Sequence, residues 1–250
     1  MSLRSENVSW ASGGAAIVRG VTLRVPDQGV LGLVGPNGSG KSSLLRLLAG
    51  VRRGSGGAVL VDQQPIETIR RSEIARRLAL VEQHAMTDVG LTARDVVALG
   101  RLPHRGALGH WSARDEEVVQ GALARTGMTR SADQSWATLS GGERQRIQIA
   151  RALAQEPREL LMDEPTNHLD IRHQLDLMRL LPELGTQVVV ALHDLNQAMA
   201  FCEEVAVMSE GRLVAQGRPA EVLTAGLIRE VFGVEAVIDV RPTGPRVSFF

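Results

Sequence analysis

The segment Gly35-Pro36-Asn37-Gly38-Ser39-Gly40-Lys41-Ser42 leaves the chain few ways to fold around it. It fits the spacing G-x-x-x-x-G-K-[ST]. Its glycines let the backbone turn tightly, so that successive N–H groups can converge on one bound anion. Before it, Val30-Leu31-Gly32-Leu33-Val34 reads as a short buried strand; after it, Ser43-Leu44-Leu45-Arg46-Leu47-Leu48-Ala49 reads as a helix stopped by Gly50. A strand, a glycine loop and a helix N-terminus in that order make an anion site. Lys41 adds a point charge for β- and γ-phosphates, and the Ser42 hydroxyl is placed to ligate Mg²⁺. A glycine-rich turn without a ligand is the plain alternative, and it leaves the Lys-Ser pair and the correct flanks unexplained.

At 250 residues the chain can hold one large domain or two small ones. Its 28 Lys and Arg balance 28 Asp and Glu, so no global field draws it to nucleic acid or anionic lipid. Tyr is absent and aromatics make up 3%, which argues against a base-stacking surface. The single cysteine, Cys202, cannot form an internal disulfide and suits a reducing compartment; its neighbours Ala198-Met199-Ala200-Phe201 read as a helix face, so packing is its expected role. No basic segment followed by an apolar run opens the chain, so no signal peptide is expected. No apolar run approaches the ~18–20 residues that span a bilayer. The expectation is a soluble protein, or one attached to a membrane through a partner.

Residues 1–30 read as a small antiparallel sheet, with a hairpin at Gly13-Gly14 between Val8-Ser9-Trp10 and Ile17-Val18. A turn over Gly54 to Gly57 precedes a strand Ala58–Val61. From about 88 to 157 the character is helical. Asp95–Gly100 reads as a short helix, and Ser112 with Asp115 three residues on resembles a capping pair ahead of the apolar face Val118, Val119, Ala122 and Leu123, ended by Gly127. Leu160–Met162 and Val188–Leu192 read as buried parallel strands with a helix Ile171–Leu181 between them, and Val205–Val214 as a hairpin around Glu210-Gly211. The order is that of an α/β core, mainly parallel, with an N-terminal antiparallel β subdomain and an inserted helical subdomain.

Two further constellations carry chemistry. Asp163-Glu164 ends the strand Leu160–Met162, where two carboxylates can reach one crevice. Asp163 fits a metal-holding role, and Glu164 stands where it can polarise an attacking water. Beside a phosphate cradle this reading outweighs a solvated strand end. In Leu139-Ser140-Gly141-Gly142-Glu143-Arg144-Gln145, Ser140 can cap the following helix and Glu143 can close the box. The glycines also bare N–H groups at the positive end of a helix dipole. That is a second phosphate surface, which one nucleotide in one chain does not need.

Together these residues resemble the ATP-binding subunit of an ABC transporter, a P-loop NTPase with a RecA-like core. The resemblance runs over roughly Val8 to Val234, and takes in the cradle, Gln83, Leu139–Gln145, Asp163-Glu164-Pro165-Thr166, Asn167-His168-Leu169-Asp170 and His193. It implies one ABC ATPase domain over 1–240, with 1–87 and 158–240 as core plus β subdomain, 88–157 as the helical subdomain and 241–250 as a tail. It implies a head-to-tail dimer holding two ATP with Mg²⁺. Each ATP lies between the cradle, Gly35 to Ser43, of one copy and Ser140, Gly141, Gly142 and Glu143 of the other. By resemblance, Gln83 reaches the metal and the attacking water and touches the membrane subunit, Asp170 crosses the interface, His193 senses the γ-phosphate, and Trp10 stacks on adenine. Packing in the hairpin face is the alternative for Trp10. Glu143 stands where the family commonly has Gln, and Glu159 where an apolar strand residue is usual, as though the strand began one position later.

The stretches Gly90–Val97, Gly100–His104, Trp111-Ser112, His193–Ala198 and Glu230–Val234 are similar to importer subunits for ferric siderophores, haem and cobalamin. That implies permease subunits as partners, a substrate-binding protein indirectly, and a place on the cytoplasmic face of the membrane. A soluble ABC ATPase of translation or DNA repair, a non-catalytic cassette and an exporter subunit are the alternatives. The histidines His84, His104, His110, His168 and His173 lack metal-ligand spacing and are expected on surface or loops, and Arg144, Arg146 and Arg151 as a solvated helix face.

Overall fold

The computed structural model describes residues 3–82, 90–105, 109–167, 169–241 and 244–250, with Val240 and Arg241 described by their backbone alone. Gly13 and Gly14, at φ 56° and 81°, turn β1 (Leu3–Ser12) into β2 (Ala15–Arg24), with Ser12 opposite Ala15 and Trp10 opposite Val18. The chain then enters β3 (Val30–Val34) and α1 (Lys41–Leu48), and returns to the other edge of β1 as β4 (Gly56–Val61) with the short β5 (Gln64–Pro65). α1 starts two residues before the expected position, because Gly40 at φ 100° is its N-cap. Gly50, at φ 66°, follows its end.

α2 (Arg71–Arg77) runs directly into β6 (Leu78–Val81). The helical region follows as α3 (Ala93–Ala98), a 3₁₀ stretch Leu99–His104, α4 (Ala113–Arg125) and α5 (Gly141–Ala154). α3 begins at Ala93 rather than Asp95. Thr92 is its cap, and Asp95 returns the bond to the Thr92 N–H at 2.9 Å. The Ser112–Asp115 box on α4 is present as the spacing predicts. Val96, Val97, Val119, Leu123 and Ile147 seal these helices together.

β7 (Glu159–Asp163), α6 (Ile171–Glu183), β8 (Gln187–Ala191), α7 (Leu195–Phe201), β9 (Glu204–Ser209) and β10 (Arg212–Gly217) complete the second sheet, in the order β10-β9-β3-β8-β7-β6. All its pairings are parallel except β10 with β9. The strands are continuous apolar runs because both faces are covered. Side chains alternate between two cores. Leu31, Leu33, Leu161 and Val189 join α1 and the antiparallel sheet; Val30, Val34, Leu160, Met162, Val188 and Val190 face α5, α6 and α7. Leu44, Leu45, Leu47 and Leu48 of α1 are all buried, and each contributes about 2 kcal/mol.

Glu159 lies within β7, not before it, and is 1% exposed. Arg77 explains how a carboxylate sits there: its guanidinium donates to both Glu159 oxygens and, across to the antiparallel sheet, to Asp62. A buried charge is tolerated when paired and hydrogen-bonded in this way. Cys202 is buried with its Sγ against Gly32, and burial pushes the thiol up to about 12, in keeping with a packing role.

α8 (Pro219–Val222) and α9 (Ala225–Phe232) lead to a terminal hairpin, β11 (Ala236–Arg241) with β12 (Gly244–Phe249). Arg241 and Gly244–Phe249, within the expected tail, thus belong to this hairpin. Asn196 of α7 ties it down, accepting from the Val247 N–H at 2.8 Å and donating to the Val247 carbonyl at 3.1 Å. Among the described residues no helix is long and apolar enough to cross a membrane.

Candidate functional site

Three neighbouring parallel strands deliver the predicted groups to one edge. Leu33 of β3 lies opposite Ala191 of β8, and Ala191 opposite Asp163 of β7. The glycine loop leaves β3, His193 follows β8, and Asp163-Glu164 ends β7. Open α/β sheets bind ligands in this crevice at the carboxyl ends of strands. β6 is next in line, and its extension leads to Gln83, which lies outside the described residues.

The loop wraps closely enough to need its glycines. A Cβ on Gly35 would stand 2.2 Å from the Met208 carbonyl oxygen, and one on Gly40 2.7 Å from that of Ile17. α1 has no side-chain cap and no acid in its first turn, so its leading N–H groups face the loop without an anionic competitor. The Ser39 hydroxyl is buried and has no hydrogen-bond partner among the described residues. Ile17, Asn37, Gly38, Ser39, Gly40, Lys41, Ser42, Ser43 and Glu164 enclose a cavity of about 160 Å³, while Pro36 and Gly35 form the loop behind it. A larger cavity of about 830 Å³ lies at the opposite end of the sheet, against Asp27, Arg158 and Thr186. It contains none of these groups, so its size is no guide to the chemistry.

Lys41, the only lysine in the sequence, is 4% exposed. Its Nζ donates to the Gly35 carbonyl at 2.8 Å and the Pro36 carbonyl at 3.2 Å. Burial lowers its pKa, against the pull of the Glu164 and Asp163 charges. The ammonium is therefore parked on loop carbonyls that a phosphate can replace. The Ser42 hydroxyl donates to Asp163 Oδ1 at 2.8 Å. Burial raises the pKa of Asp163, and the neighbouring Glu164 charge adds to it. A hydroxyl and a carboxylate oxygen at this spacing are hard donors that fit Mg²⁺.

Glu164 adopts φ 50°, the left-handed region. Its Oε1 lies 2.5 Å from His193 Nε2, and its Oε2 accepts from Asn167 Nδ2 at 2.6 Å. The carboxylate is thus fixed at both oxygens at the mouth of the cradle.

Ser140, Gly141, Gly142 and Glu143 sit elsewhere. Ser140 caps α5, with Glu143 accepting from the Ser140 N–H at 2.8 Å, the predicted box. The Ser140 hydroxyl and N–H hold the Glu143 carboxyl below its usual range. None of these four lines the cavity of the same chain's cradle. Asp170 caps α6 through a bond from the His173 N–H at 2.9 Å.

The sequence matches the ABC transporter family over residues 18–167. It is 42% identical to the ferric enterobactin transport ATP-binding protein FepC of Escherichia coli (strain K12), over 94% of this chain and 89% of FepC. It is 40% identical to the hemin import ATP-binding protein HmuV of Pseudomonas fluorescens strain Pf-5, with 96% of each chain covered. Among solved structures, it resembles a chain described as belonging to a metal-chelate type ABC transporter in an inward-facing conformation, with a TM-score of 0.86 and 26% identity over 100% of this chain and 96% of the other.

The chain belongs to the ABC transporter family.

Within this ABC fold, Trp10 packs against the core cluster of α1 and the antiparallel sheet, and the Arg52 guanidinium lies 4.2 Å from the centre of its ring. One ring face is therefore already in use. By sequence Asn167 is only part of a motif and His173 is expected on the surface or a loop; in the structure Asn167 bonds Glu164, and His173 stands in the first turn of α6, bonded to Asp170. Two of the three arginines expected as a solvated face are in use: Arg144 donates to the Trp136 and Ala137 carbonyls, and Arg146 pairs with Asp176 at 3.2 Å. His104 bonds the Gln155 carbonyl at 2.8 Å, while His84 and His168 lie outside the described residues.

Proposed function

We propose that this chain binds ATP with Mg²⁺ and hydrolyses it to ADP and phosphate, powering an ABC importer for an iron–siderophore or haem. The observation that carries the ATPase reading is the shared edge of β3, β8 and β7, where Lys41, His193 and the Asp163-Glu164 pair converge. The cargo class rests on the likeness to FepC and HmuV.

In this reading the loop N–H groups and the start of α1 take the phosphates, and Lys41 leaves the Gly35 and Pro36 carbonyls for the β- and γ-phosphate oxygens. Ser42 and Asp163 would hold Mg²⁺, with Gln83 as a further ligand. When bound, the metal neutralises phosphate oxygens and so lowers the charge an incoming nucleophile meets. Glu164 accepts the proton of the attacking water, and His193 orients the Glu164 carboxylate and contacts the γ-phosphate. Catalysis of this type is mostly positioning and electrostatics. Trp10 offers its ring to adenine.

The Ser140–Glu143 turn, remote from its own cradle, serves the nucleotide of a second copy in a head-to-tail dimer that also brings Asp170 to the interface. ATP adds charge-assisted contacts to both copies and closes the dimer; loss of the γ-phosphate reopens it. Gln83 and the 89–104 segment transmit closure to permease subunits. These keep the chain at the cytoplasmic face of the membrane and receive cargo from a substrate-binding protein.

The test is affinity purification of tagged Glu164→Gln protein from detergent-solubilised native membranes, with partners identified by mass spectrometry. A polytopic permease encoded beside a siderophore- or haem-type binding protein is the expected partner. Recovery with ribosomes or nucleic acid, and no membrane protein, overturns transport.

A further inference from the structure

One imidazole joins Asp170, at the start of α6, to Gly142, at the start of α5. His173 stands in the first turn of α6. Its N–H donates to Asp170 Oδ1 at 2.9 Å, and its Nδ1 lies 2.9 Å from Asp170 Oδ2, so backbone and ring both hold the same carboxylate. The ring also packs on α5. A Cβ built on Gly142 would stand 3.2 Å from the His173 Cγ, 3.3 Å from Nδ1 and 3.5 Å from Cδ2, the pattern of a ring met on its face. Gly142 is not at positive φ. What the glycine supplies is room for the imidazole. One turn further along, Arg146 of α5 pairs with Asp176 of α6 at 3.2 Å, so the two helices are pinned at two successive levels.

We propose that His173 is a positioning residue that sets the distance between Asp170 and the Ser140–Glu143 turn, and thereby couples the two ATP sites of the dimer. This rests on the reading above, in which that turn serves the partner's nucleotide. Asp170 ends the segment that begins at Asp163-Glu164 in the chain's own site. Gly142 belongs to the turn that faces the other site. A movement of the first segment on γ-phosphate loss reaches the second through the Asp170 carboxylate and the His173 ring that meets Gly142.

The test compares wild type, His173→Ala and His173→Gln as full-length protein. The readouts are hydrolysis against ATP concentration, binding of a fluorescent ATP analogue, and ATP-dependent dimerisation by light scattering. Gln retains an N–H for Asp170 and loses the ring, and it stands in if the Ala variant fails to fold. The Hill coefficient is expected to fall from about 2 to about 1, and dimerisation to weaken about tenfold, with analogue binding by the single chain kept within about twofold. A purely structural role would lower activity without flattening the ATP dependence. Unchanged cooperativity and dimerisation in both variants overturn the coupling role alone. A wild type that binds no ATP overturns the ATPase reading beneath it as well.

Discussion

At the scale of a residue, Glu164 shows how two consecutive carboxylates come to serve one crevice. Consecutive strand residues point to opposite faces, so Asp163 and Glu164 could not share a crevice if the strand simply continued. The left-handed φ of Glu164 follows the end of β7, and its carboxylate lines the cradle cavity against His193 and Asn167. Such a conformation costs a non-glycine residue about 1–3 kcal/mol, and bonds from Asn167 and to His193 help to hold it. Glu164→Gln preserves this shape and removes the proposed base. Phosphate release is expected to slow at least about tenfold, equivalent to about 1.4 kcal/mol of barrier, with ATP still bound. Near-normal turnover would remove Glu164 from the chemistry. The pair was legible in the sequence because it follows an apolar run. Its backbone turn was not, since nothing local in Asp-Glu-Pro-Thr demands positive φ at the glutamate.

At the scale of an element, the helical region is built on reciprocal caps. Thr92–Asp95, Ser112–Asp115 and Ser140–Glu143 each satisfy two N–H groups at a helix start, and the last two were legible from a three-residue spacing. What spacing could not reveal is the second use of Asp115. It accepts from the buried Arg101 at 2.8 Å, and Arg101 also reaches the Ala154 carbonyl and Glu156. Glu159 misled for the same reason, because its partner Arg77 lies 82 positions away. Asp115→Ala removes a cap and leaves Arg101 short of one partner, at an expected cost of about 2–3 kcal/mol in urea unfolding. The Ser112 hydroxyl first, and Arg101 after it, hold the Asp115 carboxyl far below its ordinary range. A depressed folded-state pKa means that the stabilisation is complete above the unfolded value of about 4 and fades as pH falls below it. The gap between wild type and Asp115→Ala should therefore be constant from pH 7 to about 5 and narrow in more acid buffer. A gap that widens on acidification contradicts this assignment.

At the scale of the whole molecule, one sheet edge collects residues far apart in sequence. The strands were legible as apolar runs, and the parallel arrangement followed from their lack of alternation. Their lateral order was not, because β3, β8, β7 and β6 become neighbours only through helical crossovers. Nor was the terminal hairpin, which buries Ala236 and Val247 in the main core and is bonded at Val247 by Asn196 of α7. The same architecture leaves the Ser140 turn away from its own cradle, which makes dimer closure testable at one position. Ser140→Arg places a long cation where the partner's γ-phosphate is expected, and should abolish ATP-dependent dimerisation while each chain still binds a fluorescent ATP analogue. Unaltered dimerisation by light scattering would count against the head-to-tail arrangement.

Of 28 cationic side chains, the one that is a lysine is the one in the cradle. To a protease specific for lysine, the unfolded chain therefore offers a single cut, between Lys41 and Ser42. In the folded protein that bond joins the glycine loop to a buried helix, with the side chain tethered at both Gly35 and Pro36. Digestion of the native chain becomes a clock for the opening of this one loop, read as two fragments on a gel, and a bound nucleotide should slow the clock without touching the rest of the fold.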